Sequence, residues 1–72
     1  MHFRFSMRYP AAPVLRIFDA RGRMMMEKAF GFRSPGEYRE NVDCSALPDG
    51  VYYSVLIVDG ARVGTQRMLV LH

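Results

Sequence analysis

Cysteine is nearly absent from this chain: Cys44 stands alone. No internal disulfide can form, and no cysteine-built metal site is available. A lone cysteine reads first as a small half-buried apolar residue, with an intermolecular disulfide or a reactive thiol as the alternative. Histidine is almost as scarce. His2 and His72 lie at opposite ends of the sequence, each without another ligand residue at metal spacing. They could meet only if the first and last strands paired. Long apolar runs are missing as well, and none approaches the ~18 residues of a membrane-spanning helix. Met1-His2-Phe3-Arg4-Phe5 lacks the apolar core of about 7–15 residues that a signal peptide carries. Two settings remain open: a cytoplasmic mini-protein, or a domain of a longer exported protein.

Seventy-two residues make a single domain, 1–72. A chain this short buries roughly 60% of its unfolded surface, which leaves no room for a deep cleft and a supporting shell. That argues against an enzyme, and the motifs agree. Ser6, Ser34, Ser45 and Ser54 have no nucleophile-elbow context and no internal histidine base. Glu37, Glu40, Asp43, Asp49 and Asp59 fall on an edge strand or in turns, where no desolvated acid–base pair is expected. Gly31 to Gly36 lacks the Gly-Lys-Ser/Thr ending of a phosphate loop. No cofactor is expected.

Lysine is rare too. Lys28 stands alone among ten cations, the rest being arginine, within a net charge of +3. Arginine suits planar contacts with carboxylates and phosphates. These residues are spread out and interleaved with seven acids. A solvated strand face is the plain reading, and a face for an anionic partner the sharper one. Phe3-Arg4-Phe5 and Arg8-Tyr9 loosely resemble single-strand nucleic-acid binders. Phe3 and Phe5 fit a core better, so no nucleic-acid partner is expected.

What the chain has in quantity is alternation. His2 to Arg8 is apolar at 3, 5 and 7, the period of a half-buried strand. Pro10 and Pro13 break it. Val14 to Phe18 is a second strand, and Asp19-Ala20-Arg21-Gly22 a type I turn. Arg23 to Phe30 returns as a third. A helix through Met24 to Phe30 competes, but Gly22 and Gly31 confine it to about two turns. Ser34-Pro35-Gly36 marks a loop, and Glu37 to Asp43 a charged edge strand. Cys44 to Asp49 is a short connection with room for one helical turn. Val51 to Val58 is the strongest strand, Asp59-Gly60 a two-residue hairpin turn, and Arg62 to Leu71 the last strand. Six strands, seven if a long one breaks, predict an all-β, antiparallel β-sandwich.

The last hairpin is apolar in both phases. Val51, Tyr53, Val55 and Ile57 occupy one; Tyr52, Leu56 and Val58 the other. Met68-Leu69-Val70-Leu71 and Met24-Met25-Met26 repeat the pattern. A strand with one wet face should alternate more cleanly. Either the sheet is twisted enough to curl over both faces, or several of these side chains form an exposed partner surface. The second reading also predicts self-association through this hairpin.

Four segments then carry a resemblance: Val14 to Arg23, Gly36-Glu37-Tyr38, Leu47-Pro48-Asp49-Gly50-Val51-Tyr52, and Thr65 to Leu71. In that order they resemble a type IX secretion C-terminal sorting domain, and the related immunoglobulin-like domain of the flagellar hook-capping family. The shared pattern is an apolar strand ending in Asp-x-x-Gly, then Leu-Pro/Ala-x-Gly-x-Tyr, then a final strand carrying Lys or Arg before a short aliphatic run. Two features depart from it: Tyr9-Pro10 follows the first strand instead of leading into it, and Arg67 stands where lysine is usual.

The resemblance implies a small immunoglobulin-like β-sandwich at the end of an exported protein. Its route would run through the periplasm to the cell surface or beyond. Its partners would be an outer-membrane shuttle barrel and a surface sortase, without direct insertion into the membrane. The implied recognition residues are Gly50, Tyr52, Arg67, Met68, Leu69, Val70 and Leu71; the exposed-hairpin reading adds Tyr53, Val55 and Ile57. The alternative implied function is a structural or assembly module of the hook-cap type.

Overall fold

A computed structural model describes residues 1–72. It contains six strands and no helix: β1 (His2–Met7), β2 (Val14–Asp19), β3 (Met24–Ala29), β4 (Gly36–Asn41), β5 (Gly50–Val58) and β6 (Ala61–Val70). All pairings are antiparallel. β1 and β4 form a two-stranded sheet, and β3-β2-β5-β6 a four-stranded one. The expected all-β sandwich is therefore what forms, with six strands and no seventh. Met24 to Ala29 is a strand, and the competing helix does not form. Cys44 to Asp49 holds no helical turn; the Leu47 N–H closes a single tight turn on the Cys44 carbonyl (3.0 Å).

Local chemistry sets both hairpin turns. At β5–β6, Asp59 (φ 53°) and Gly60 (φ 76°) are both left-handed. This is the primed turn that matches strand twist. At β2–β3, the Gly22 N–H reaches the Asp19 carbonyl (3.0 Å), and Gly22 sits at φ 87°. The Asp19 carboxylate Oδ1 accepts from the N–H groups of Arg21 and Arg23, each at 2.9 Å.

Those bonds, that from Arg23 foremost, hold the Asp19 carboxyl below its ordinary 3.8. A depressed folded-state value means that the stabilisation is complete at neutral pH. It is lost as pH falls below about 4 and through the folded-state value. Asp43, whose carboxylate accepts from the Ser45 N–H (2.9 Å), acts in the same direction. Urea midpoints are therefore expected to fall between pH 7 and pH 3. Asp19→Asn keeps an acceptor but no charge and should flatten part of that fall; an unchanged profile would contradict this origin.

The chain changes sheet three times, and each change is fastened. The first and second connections bond each other: Ala11 and Arg33 exchange N–H···O bonds of 3.2 and 2.8 Å. The second and third are closed by the same local device. The Tyr38 hydroxyl donates to the Ser34 carbonyl and the Tyr52 hydroxyl to the Pro48 carbonyl, both at 2.6 Å and four residues back. Each tyrosine stands two residues after a glycine that opens its strand, Gly36 or Gly50. At Gly50 space is not the constraint, because a Cβ there would meet the Tyr52 ring at an ordinary 3.8 Å.

Only 15 of 72 residues are buried, so each carries a large share of the core. The main cluster joins Phe3, Leu15, Ile17, Val42, Cys44, Leu47, Tyr52, Met68 and Val70. A smaller one gathers Met7, Ala11 and Val58 under Phe5, Tyr38 and Leu56. Cys44 is a core residue, and burial pushes its thiol above the ordinary 9.0. The methionine triplet is explained by a bulge. Phe18 pairs with Met24 and Ile17 with Met26, which leaves Met25 as the extra residue. Consecutive Met25 and Met26 can then both pack on the core.

Candidate recognition surface

Register divides the hairpin β5–β6 into two faces. Tyr52, Ser54, Leu56 and Val58 share the inner face with Ile17 and Leu15 of β2. Val51, Tyr53, Val55 and Ile57 lie on the outer face, opposite Leu69, Arg67, Thr65 and Arg62. Ser54 explains the one polar interruption of β5: it is buried, and its hydroxyl donates to the Gln66 carbonyl (3.2 Å) on the neighbouring strand.

Burial sorts the ten expected recognition residues. Tyr52, Met68 and Val70 face inward and belong to the core. They build the hairpin and offer no surface. Val55 is also buried, although it faces outward. Its row runs Glu27–Arg16–Val55–Thr65, and Arg16 is held beside it by Glu27 at 2.7 Å. The long Arg16 stem can cover it while the charge stays in water. Gly50 and Ile57 are half-buried. The exposed set is Tyr53 (38%), Arg67, Leu69 (57%) and Leu71 (72%). Tyr53 lies directly opposite Arg67, and Val51 opposite Leu69. The apolar doubling of this hairpin therefore has two causes: an inner face that fills the core, and an outer face that remains partly open.

Searches of protein-family models, curated proteins and solved structures find no match to this chain.

Other chemistry-bearing residues are dispersed. No three His, Cys, Asp or Glu side chains gather as a cation site. The first and last strands lie in different sheets and do not pair, so no strand pairing joins His2 to His72. The His72 ring Nε2 lies 2.7 Å from the Leu47 carbonyl oxygen, and the His72 backbone N–H donates to Asp49 Oδ1 (2.9 Å). This clasps the end of the chain to the loop before β5. One arrangement escaped the sequence reading. Arg33, in the connection before β4, pairs with Glu40 at 2.5 Å and lies 5.3 Å from the centre of the Tyr38 ring. Nothing in the spacing of Arg33 and Glu40 announces this pair. It follows from the crossover that brings the loop back to β4.

Proposed function

We propose that the chain is a non-catalytic, immunoglobulin-like module that acts by being recognised, in the manner of a type IX secretion sorting domain. The observation that carries this reading is the uncovered outer face of β5–β6, where Tyr53 and Leu69 stand exposed beside Arg67, with Leu71 exposed just past the end of β6. Aromatic and aliphatic anchors beside an arginine are the side chains that dominate protein contacts. Leu47-Pro48-Asp49-Gly50-Val51-Tyr52 supports the reading from the sequence, because its tyrosine forms the hydroxyl-to-upstream-carbonyl corner typical of immunoglobulin-like sandwiches. The partners would be the shuttle barrel and the sortase, met after passage through the periplasm.

The test is an export assay. Residues 1–72 are fused to the end of a periplasmic reporter in a bacterium that has the type IX machinery. The fusion should reach the cell surface, and Leu69→Glu, at an exposed position, should cut surface reporter by about tenfold while the domain stays folded. A wild-type fusion that remains periplasmic overturns the sorting role and favours the assembly module of the hook-cap type. Unimpaired export of Leu69→Glu overturns the outer face as the contact.

A further inference from the structure

The two sheets differ in width, and this leaves one side of the sandwich uncovered. Four strands lie below and two above. With strands ~4.8 Å apart, the upper sheet spans about half the lower one. A cleft of about 700 Å³ occupies the uncovered side. One wall is β1 and its extension, seven consecutive residues from Phe3 to Tyr9; the floor and far wall come mainly from the inner side of β5 and the edge of β6. No residue of β4 lines it, so it lies along the edge of β1 that has no partner strand.

Hydrogen-bond phase shows what that edge offers. Met1 and Val42 bond each other in both directions: the Met1 amine donates to the Val42 carbonyl and the Val42 N–H to the Met1 carbonyl, at 2.9 and 2.8 Å. In a regular antiparallel ladder alternate residues bond the partner, so Phe3, Phe5 and Met7 bond β4. The N–H and C=O groups of Arg4 and Ser6 therefore point toward the cleft, and those of His2 leave the same unpaired edge just beyond it. The floor beneath includes the row Leu15–Leu56–Gly64, and a Cβ at Gly64 would meet nothing within 4 Å.

Charge selects the occupant. Arg4 is exposed in the outward phase of β1 and faces Arg39 of β4, and Arg8 stands exposed just past the strand end. That like-charge pair is of the non-hydrogen-bonded kind, in which Cα atoms approach to about 4.5 Å. β1 itself holds no carboxylate. Pairing β1 with a second copy would therefore set cations beside cations. A carboxylate on an added strand would instead face Arg4 from its empty side.

We propose that this cleft accepts an extended acidic segment of a partner protein as a third strand beside β1, its apolar side chains turned down onto Leu56 and Gly64 and its carboxylates turned out toward Arg4 and Arg8. Main-chain bonds would supply affinity, and the alternating side chains would supply choice. This site lies away from the outer face of β5–β6 and does not depend on the sorting reading.

The probe is a short synthetic peptide of alternating valine and glutamate, with its valine–lysine counterpart as control. Amide exchange read by NMR should slow at least tenfold at His2, Arg4 and Ser6 when the acidic peptide is bound. The lysine peptide should bind at least about fivefold more weakly. Gly64→Val builds into the floor at a point where a Cβ meets nothing within 4 Å, and Ser6→Pro removes an edge donor while sparing the β4 bonds; both should weaken binding. Arg4→Glu should reverse the preference between the peptides. Leu69→Glu should leave binding unchanged, which separates this site from the export contact. Absence of protection, equal affinity for the two peptides, or protection centred on Tyr53 and Leu69 would overturn the proposal. So would protection of the same three amides that grows with protein concentration alone, since the occupant would then be a second copy.

Discussion

Ile17→Ala is expected to remove about 3 kcal/mol of stability, within the range found for trimming a buried isoleucine. Ile17 has no exposed surface and is among the largest fully buried side chains. It sits mid-strand in β2, between Met26 of β3 and Ser54 of β5. Truncation leaves a cavity at the junction of three strands, which hydrogen bonds on both sides prevent from closing. A chain of this length has a total stability of roughly 4–11 kcal/mol. The variant should therefore unfold at a markedly lower urea concentration, followed by far-ultraviolet circular dichroism. A change under about 1 kcal/mol would mean that the main cluster packs loosely around this position.

Tyr52 should show a graded loss. Tyr52→Phe keeps the ring and removes the bond to the Pro48 carbonyl, for an expected cost of about 1–1.5 kcal/mol. Tyr52→Ala also empties the ring's place in the main cluster that holds Leu47 and Met68, and should cost about 3–5 kcal/mol. Tyr38→Phe is the control. Its hydroxyl makes the same bond, but in an exposed setting where water can replace it. Its cost should fall clearly below that of Tyr52→Phe in equilibrium denaturation. Equal losses would show that burial does not set the strength of these corners.

The strands and turns were legible because their signals are local. Asp59-Gly60 needs only its own two residues to specify a primed turn, and the alternation at Phe3, Phe5 and Met7 needs only its own strand. What could not be read was which phase of β5 faces inward. Both phases are apolar, and the polar marker Ser54 turned out to be inside, satisfied by a carbonyl on β6. The inward face was decided by pairing with β2, a contact between distant parts of the chain. For the same reason Met68 and Val70 read as surface candidates and prove to be core. The methionine triplet hid a bulge, since no composition rule places an extra residue at Met25. Tyr53 entered as a surface candidate through the exposed-hairpin reading and Leu69 through the terminal run of the resemblance; the β5–β6 register is what separates both from the core phase.

The paired tyrosine corners also bear on how compactly the fold is encoded. From Ser34 to Tyr38 and from Pro48 to Tyr52, five consecutive residues contain a bend, the glycine that opens the next strand, and the hydroxyl that closes the bend behind it. Neither closure requires information from elsewhere in the chain. Two of the three passages between sheets are thus written as the same short word, and the first, through Pro10 and Pro13, is held instead by the bonds that Ala11 exchanges with Arg33 of the second.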